Sequence, residues 1–314
     1  LDPMMATSEL LSRLSPELTV PDLLSPAVAI SSLGCFILII LRFSRPRRIL
    51  LAGNLLLCTT LLLYQPTTGA LNLVFFDTGE SSMTLAKAPS GEQILLDGGE
   101  RRSGPNVLLP YLHRYGNPEI DLAVISHAHG DHFLGILATA IPCLSVITNG
   151  SPAFPEAFHD RFSASHLRTP TENRKTFQSF GIDFELVLPS AEAEDLSEND
   201  SSLVTILTFR NMRLVFTGDL EERGMGLLLK TLPQDVFLYQ IPHHGHPNDG
   251  TLIPLEIANP LVAVANSKGT MLEPALFLSP LFPCHYTWLH ITGLDGMLEI
   301  SLSDSAVFSR NMPP

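Results

Sequence analysis

"SHAHGDHFLGIL", residues 126–137, sets His127, His129, Asp131 and His132 within six residues and follows them at once with an apolar run. Ionisable groups at that density oppose one another unless something positive lies between them. Imidazole nitrogens and carboxylate oxygens are the donors that zinc and its borderline neighbours take. The flanks fix the local structure: "DLAVIS" (121–126) reads as a buried strand, and the residues from about 132 read as the start of an apolar helix. Two histidines spaced two apart at a strand end point the same way, and the turn at Gly130 swings Asp131 and His132 toward a second position. One such loop can serve two metal ions.

Two later strand ends carry the same kinds of donor. In "RLVFTGDLEE" (213–222), Asp219 follows Gly218 at the end of an apolar strand, where its two oxygens can bridge two cations. Alone this is weak, because such a turn is also an ordinary helix cap. In "DVFLYQIPHHG" (235–245), His243 and His244 again follow an apolar strand. Three strand ends bearing His and Asp predict a dinuclear metal site.

The remaining pattern is that of an α/β domain. Short strands are expected at "LNLVFFD" (71–77), "SMTLAK" (82–87) and "EQILLD" (92–97), then a helix at "GPNVLLPYLHRYG" (104–116) with Pro105 in its first turn. Residues 150–182 are variable in character. Further strands are expected at 183–188, 203–209, 213–219, 235–241 and 261–267, with a hairpin at 210–212 and a helix over roughly 220–230. Strands in runs with helices interspersed predict two packed sheets with helices outside.

Composition adds a second part. The sequence is 45% hydrophobic and only 16% charged, and the excess is concentrated before residue 70. Residues 23–41 and 49–64 contain no charge, while the connector "RFSRPRR" (42–48) holds Arg42, Arg45, Arg47 and Arg48. Such a cluster between two apolar segments is the mark of a cytoplasmic loop. The expectation is two transmembrane helices within 23–65, an extracytoplasmic loop over 1–22 belonging to a longer chain, and a domain over 70–314 on the outer face. From residue 70 onward there are 28 Asp and Glu against 14 Lys and Arg. That balance disfavours a broad nucleic-acid-binding face, though not a local site where metal ions supply the positive charge. The four cysteines show no CxxC spacing, which argues against a zinc knuckle.

The order HxHxDH, then TGD, then a strand-end histidine resembles the metallo-β-lactamase superfamily. More narrowly, "FFDTG", "ILLDGG", "SHAHGDHFLGI", "NDSSLVTIL", "RLVFTGDLEE" and "DVFLYQIPHHG" resemble the C-terminal hydrolase domain of the ComEC competence-protein family, over roughly residues 23–302. The resemblance implies an αββα sandwich after the last membrane spans of a ComEC-like channel, in the bacterial cell membrane. It also implies two divalent ions (Zn2+ or Mn2+) and a phosphodiesterase or nuclease acting on single-stranded DNA during uptake. Carried over, His127 and His129 hold one ion, Asp131, His132 and His243 the other, and Asp219 bridges them. Asp131 and His244 are the expected catalytic residues, with His244 facing the substrate phosphate. Asp97 either braces the histidine loop or forms a turn before two glycines. Where the superfamily has a further histidine, this chain has "ENDSSL" (198–203), with Asn199 or Asp200 as substitutes. Its "DTGESS" (77–82) replaces the family's DVGQGD, and Glu273–Pro274 stands where relatives carry His-Pro. The alternatives are another extracellular phosphodiester, such as a phosphocholine ester, and a transport module that has lost its activity.

Overall fold

The computed structural model describes residues 69–312 except 116, 163–166, 190–194, 247–251, 270–287 and 304–306. The chain divides into Leu1–Pro66 and Thr67–Pro314, and the described residues lie in the second unit. The expected loop 1–22 and the spans within 23–65 fall outside the described residues. Among the described residues, no helix is long and apolar enough to cross a membrane.

Two sheets form the body. The first is built from β1 (Leu71–Phe75), β2 (Met83–Lys87), β3 (Gln93–Gly98), β4 (Leu122–Ile125), β5 (Val146–Thr148) and β6 (Leu167–Arg168), joined by β14 (Met297–Leu302) and β15 (Val307–Met312). Its order is β15-β14-β1-β2-β3-β4-β5-β6. The second contains β7 (Arg174–Ser179), β8 (Ile182–Val187), β9 (Val204–Phe209), β10 (Met212–Phe216), β11 (Leu238–Gln240), β12 (Val262–Ala265) and β13 (Trp288–Ile291). Its order is β13-β12-β11-β10-β9-β8-β7. The expected hairpin joins β9 to β10 antiparallel, with Met212 opposite Phe209. Arg210 turns it at φ 57.

Helices lie on both outer faces, so the layers are αββα. Alternation along the strands explains this. On β1, Leu71, Leu73 and Phe75 face the second sheet, where Phe75 stacks on Phe216 at 6.1 Å. Val74 and Phe76 face the other way, toward Leu112 of α1 (Leu109–Arg114) and Ile136 of α2 (Gly130–Leu137). Phe158 of α3 (Glu156–Arg161) packs in the same layer. Beyond the second sheet, Val204, Ile206 and Val215 pack on Met225 and Leu228 of α4 (Glu222–Leu228) and Leu255 of α5 (Leu252–Ala258). Strands buried on both faces read as continuous apolar runs, as these do.

The helix expected at 104–116 begins with a wider π turn, Gly104–Leu108, before α1. The region 150–182 contains α3, β6 and β7. β3 to β6 run parallel in one sheet and β10 to β13 in the other. The carboxyl ends of β3, β4, β10, β11 and β12 meet at one edge of the sandwich, the usual place for a ligand in parallel α/β sheets.

Candidate metal centre

The histidine loop leaves β4 at Ser126 and turns into α2 at Gly130. His127 is fully buried, His129 is exposed, and Asp131 is half-buried on the first turn of α2 beside fully buried His132. From the second sheet, β10 delivers buried Asp219 through Gly218. Gly218 has φ +58, and a Cβ there would lie 2.7 Å from Ser126 Cβ and 2.9 Å from Ser202 Cβ. Glycine is therefore what lets the two sheets' strand ends close on one another.

Asp131, His132, Asp219 and His244 converge, each offering one ligand atom within 4.8 Å of the others. His132 Nε2 is 3.1 Å from Asp219 Oδ1 and 3.5 Å from Asp131 Oδ2. His244 Nε2 is 3.1 Å from Asp131 Oδ2 and 3.4 Å from Asp219 Oδ2. His132 Nε2 and Asp219 Oδ1 are both buried, and despite their proximity they are not aligned as a hydrogen bond. His127 Nε2 is a third buried atom without a partner, its ring 4.2 Å from that of His132 and 4.7 Å from that of His129. Buried polar atoms that face one another without bonding are what a donor set for a cation presents. The residues fit divalent ions.

The outer nitrogens of these rings are all engaged. His132 Nδ1 is 2.8 Å from Asp97 Oδ2, whose Oδ1 also accepts from the Ser126 amide at 2.7 Å. His127 Nδ1 is 3.0 Å from Ser126 Oγ and 3.3 Å from Ser202 Oγ. His244 Nδ1 donates to the Asn266 carbonyl, at 2.9 Å. Each ring thus turns Nε2 toward the centre, the arrangement that outer partners impose on metal-binding histidines. Asp97 braces the loop, holding a left-handed backbone at φ 55 as it does so.

The two late histidines take different places. His244 enters the carboxylate cluster, whereas His243 stands half-exposed with Nδ1 3.3 Å from Glu221 Oε1. Both have left-handed backbones, φ 47 and 56, so adjacent rings diverge, with centroids 6.2 Å apart. Asp200 Oδ1 accepts from the amides of Glu221 and Gly224 and so caps the start of α4. Asn199 Nδ2 donates to Glu221 Oε1, leaving its Oδ1 buried without a partner. Glu198 accepts from the Ala128 amide, between the two loop histidines, and from Ser151 Oγ.

Without an ion the cluster sets its own charges. Burial opposes charge on His132, but Asp219 and Asp97 outweigh it and raise its pKa well above the imidazole range. The same contest between burial and the Asp219 and Asp131 carboxylates lifts His244 to about 9. Burial would raise Asp219, yet His132 and His244 hold it well below the carboxylate range. His127 is pushed well below its usual value by burial and by neighbouring His132.

Fold and donor set together define an αββα sandwich whose strand ends converge on a candidate metal centre. The sequence matches the metallo-β-lactamase superfamily over residues 77–249, more than half of the chain, and the chain belongs to that superfamily. Among solved structures it is similar to an E377D mutant of the CmlA β-hydroxylase, at 14% identity and TM-score 0.49, with 83% of this chain and 60% of that one covered. CmlA is a diiron β-hydroxylase from Streptomyces venezuelae. A diphosphatase of the PhnP family matches at 14% identity and TM-score 0.43, covering 74% of this chain and 99% of that one. Human tRNase Z, short form, matches at 13% and 0.38, covering 61% and 91%. The chain thus spans about 60% of the length of the first of these structures. No curated protein matches it.

Proposed function

We propose that this chain is a dinuclear metal-dependent phosphodiesterase, tethered to the bacterial cell membrane, that cleaves single-stranded DNA on the outer face as part of a ComEC-like uptake channel. The observation that carries the reading is the convergence of Asp131, His132, Asp219 and His244, with three buried atoms left for an ion. The sequence resemblance supports the substrate, and the arginine connector supports the tether. One ion would be held by Asp131, His132 and His244 and the other by His127 and His129, with Asp219 available to both. Asp200 Oδ1 is committed to the start of α4, so the second set would have fewer strong donors and would hold an ion less tightly. Bound divalent ions polarise a phosphoryl oxygen and lower the pKa of water.

The chain's own residues do the rest. Asp97, Asn266 and the hydroxyls of Ser126 and Ser202 fix the imidazoles, so that the inner nitrogens of His127 and His132 stay free of competing hydrogen bonds while that of His244 meets the Asp131 carboxylate. On this reading His244 takes the ligand position assigned above to His243. His243, at the rim and backed by Glu221, can bond a substrate oxygen.

The test is cleavage of a labelled single strand by the full chain in detergent. Chelator should abolish cleavage, Mn2+ or Zn2+ should restore it, and Asp219→Ala should lower it by orders of magnitude. Chelator-resistant cleavage, or an Asp219→Ala protein as active as the parent, would sink the reading. Preferred hydrolysis of p-nitrophenyl phosphocholine would move the substrate to the choline ester.

A further inference from the structure

Lys268 lies three residues past the end of β12 and two beyond Asn266, whose carbonyl holds His244. Its stem lies across Gly79: a Cβ on that glycine would sit 2.8 Å from Lys268 Cε and 3.5 Å from Cγ. Gly79 belongs to the loop 77–82, whose Ser81 hydroxyl and Ser82 amide both bond the Asp131 carbonyl, at 3.1 and 3.2 Å. The lysine stem therefore reaches from the loop that steadies His244 onto the loop that steadies Asp131. Gly79 has φ +73, so both its backbone and the passing stem call for glycine. Lys268 is exposed. No described carboxylate pairs with its ammonium, although the domain carries twice as many acidic as basic residues.

We propose that Lys268 is the cation that meets a phosphate of the substrate at the mouth of the metal centre and sets the preference for anionic diesters. The proposal rests on the phosphodiesterase reading above. An unpaired ammonium in an acidic surface is a local point of attraction for phosphate, and it lets an otherwise repellent domain admit a polyanion. The competing account is a solvated surface lysine whose stem covers a glycine. Lys268 is a positioning residue for substrate, so its loss should raise KM and leave kcat nearly unchanged.

The experiment measures binding of a phosphorothioate dT decamer, which resists cleavage, to the metal-loaded full chain by fluorescence anisotropy at 50 and 200 mM NaCl. Cleavage kinetics on the ordinary decamer run beside it. Lys268→Ala should weaken binding roughly tenfold, the loss of one charge-assisted hydrogen bond partly in water. It should also flatten the salt slope by about 0.7. Lys268→Arg should bind like the parent, and Gly79→Ala, which displaces the stem, should resemble Lys268→Ala. Metal content should be the same in the parent, Lys268→Ala and Lys268→Arg. A parent that binds the decamer no better than Lys268→Ala does would overturn the inference while leaving the phosphodiesterase reading intact. A loaded parent that neither binds nor cleaves the decamer would overturn both.

Discussion

Replacing Asp97 by asparagine changes one atom and tests the whole idea that outer bonds prepare the centre. The carboxylate accepts three hydrogen bonds: Oδ1 from the Ser126 amide at 2.7 Å, and Oδ2 from Ser126 Oγ at 3.1 Å and His132 Nδ1 at 2.8 Å. Asparagine offers a carbonyl on one side only. If that oxygen serves Ser126, the amide NH2 meets the His132 N–H, and His132 must move its proton to Nε2, where it blocks a ligand atom. If the oxygen serves His132, the buried Ser126 amide loses its acceptor. Either way one charge-assisted bond is lost, about 1.5–3 kcal/mol. Metal affinity should therefore fall about 10- to 100-fold, the range usual for such outer partners. Competition against a zinc-binding chromophore would measure it, with chelated samples unfolded in urea to report stability separately. An Asp97→Asn protein with the parent's zinc affinity would refute the reasoning, because the inner donors would then be aligned without it.

The two late histidines separate cleanly. His244→Ala should lose the tighter ion, whereas His243→Ala should keep both ions and lose turnover by about 10²-fold or more. Metal analysis after dialysis decides between them, and a His243→Ala protein that loses its metal would reverse the assignment. Stability of the chelated protein should depend on pH in a stated direction. His244 has its folded pKa raised from 6.5 to about 9, so its contribution is complete below pH 6.5 and is lost as pH rises through 9. The loss is at most about 3 kcal/mol. Urea midpoints at pH 6.5 and 9.5 in chelator measure it, and a midpoint that is flat or rises with pH contradicts the assigned charges.

The strand ends that carry donors are legible in the sequence because each is a local event, an apolar run stopping at His or Asp. β4, β9, β11 and β12 fall within the expected stretches, and β3 and β10 each overrun theirs by one residue. β7 is not legible, because it is an edge strand whose residues Arg174–Ser179 are largely exposed and show no apolar alternation. The choice between His243 and His244 depends on two successive left-handed residues, and no residue pattern near them announces that backbone. Asp200 shows a different limit. Its spacing suits a ligand, yet its Oδ1 accepts from the amides of Glu221 and Gly224 at the start of α4. Ser126 and Ser202 were visible next to the motifs, but only the folded geometry shows that both reach His127.

β14 lies beside β1, so that Leu71 pairs with Leu302 across almost the whole domain. On the ribosome, the first sheet waits for residues 297–302. Until residues 297–302 emerge, β1 presents an open edge, and Leu298, Ile300 and Leu302 are missing from the core between the sheets. Pairing over such a separation is slow, since the intervening loop must close before any contact rewards it. The nascent chain therefore holds every donor residue of the centre well before it holds a finished scaffold. A domain assembled this way matures only once residues 297–302 have been made and paired.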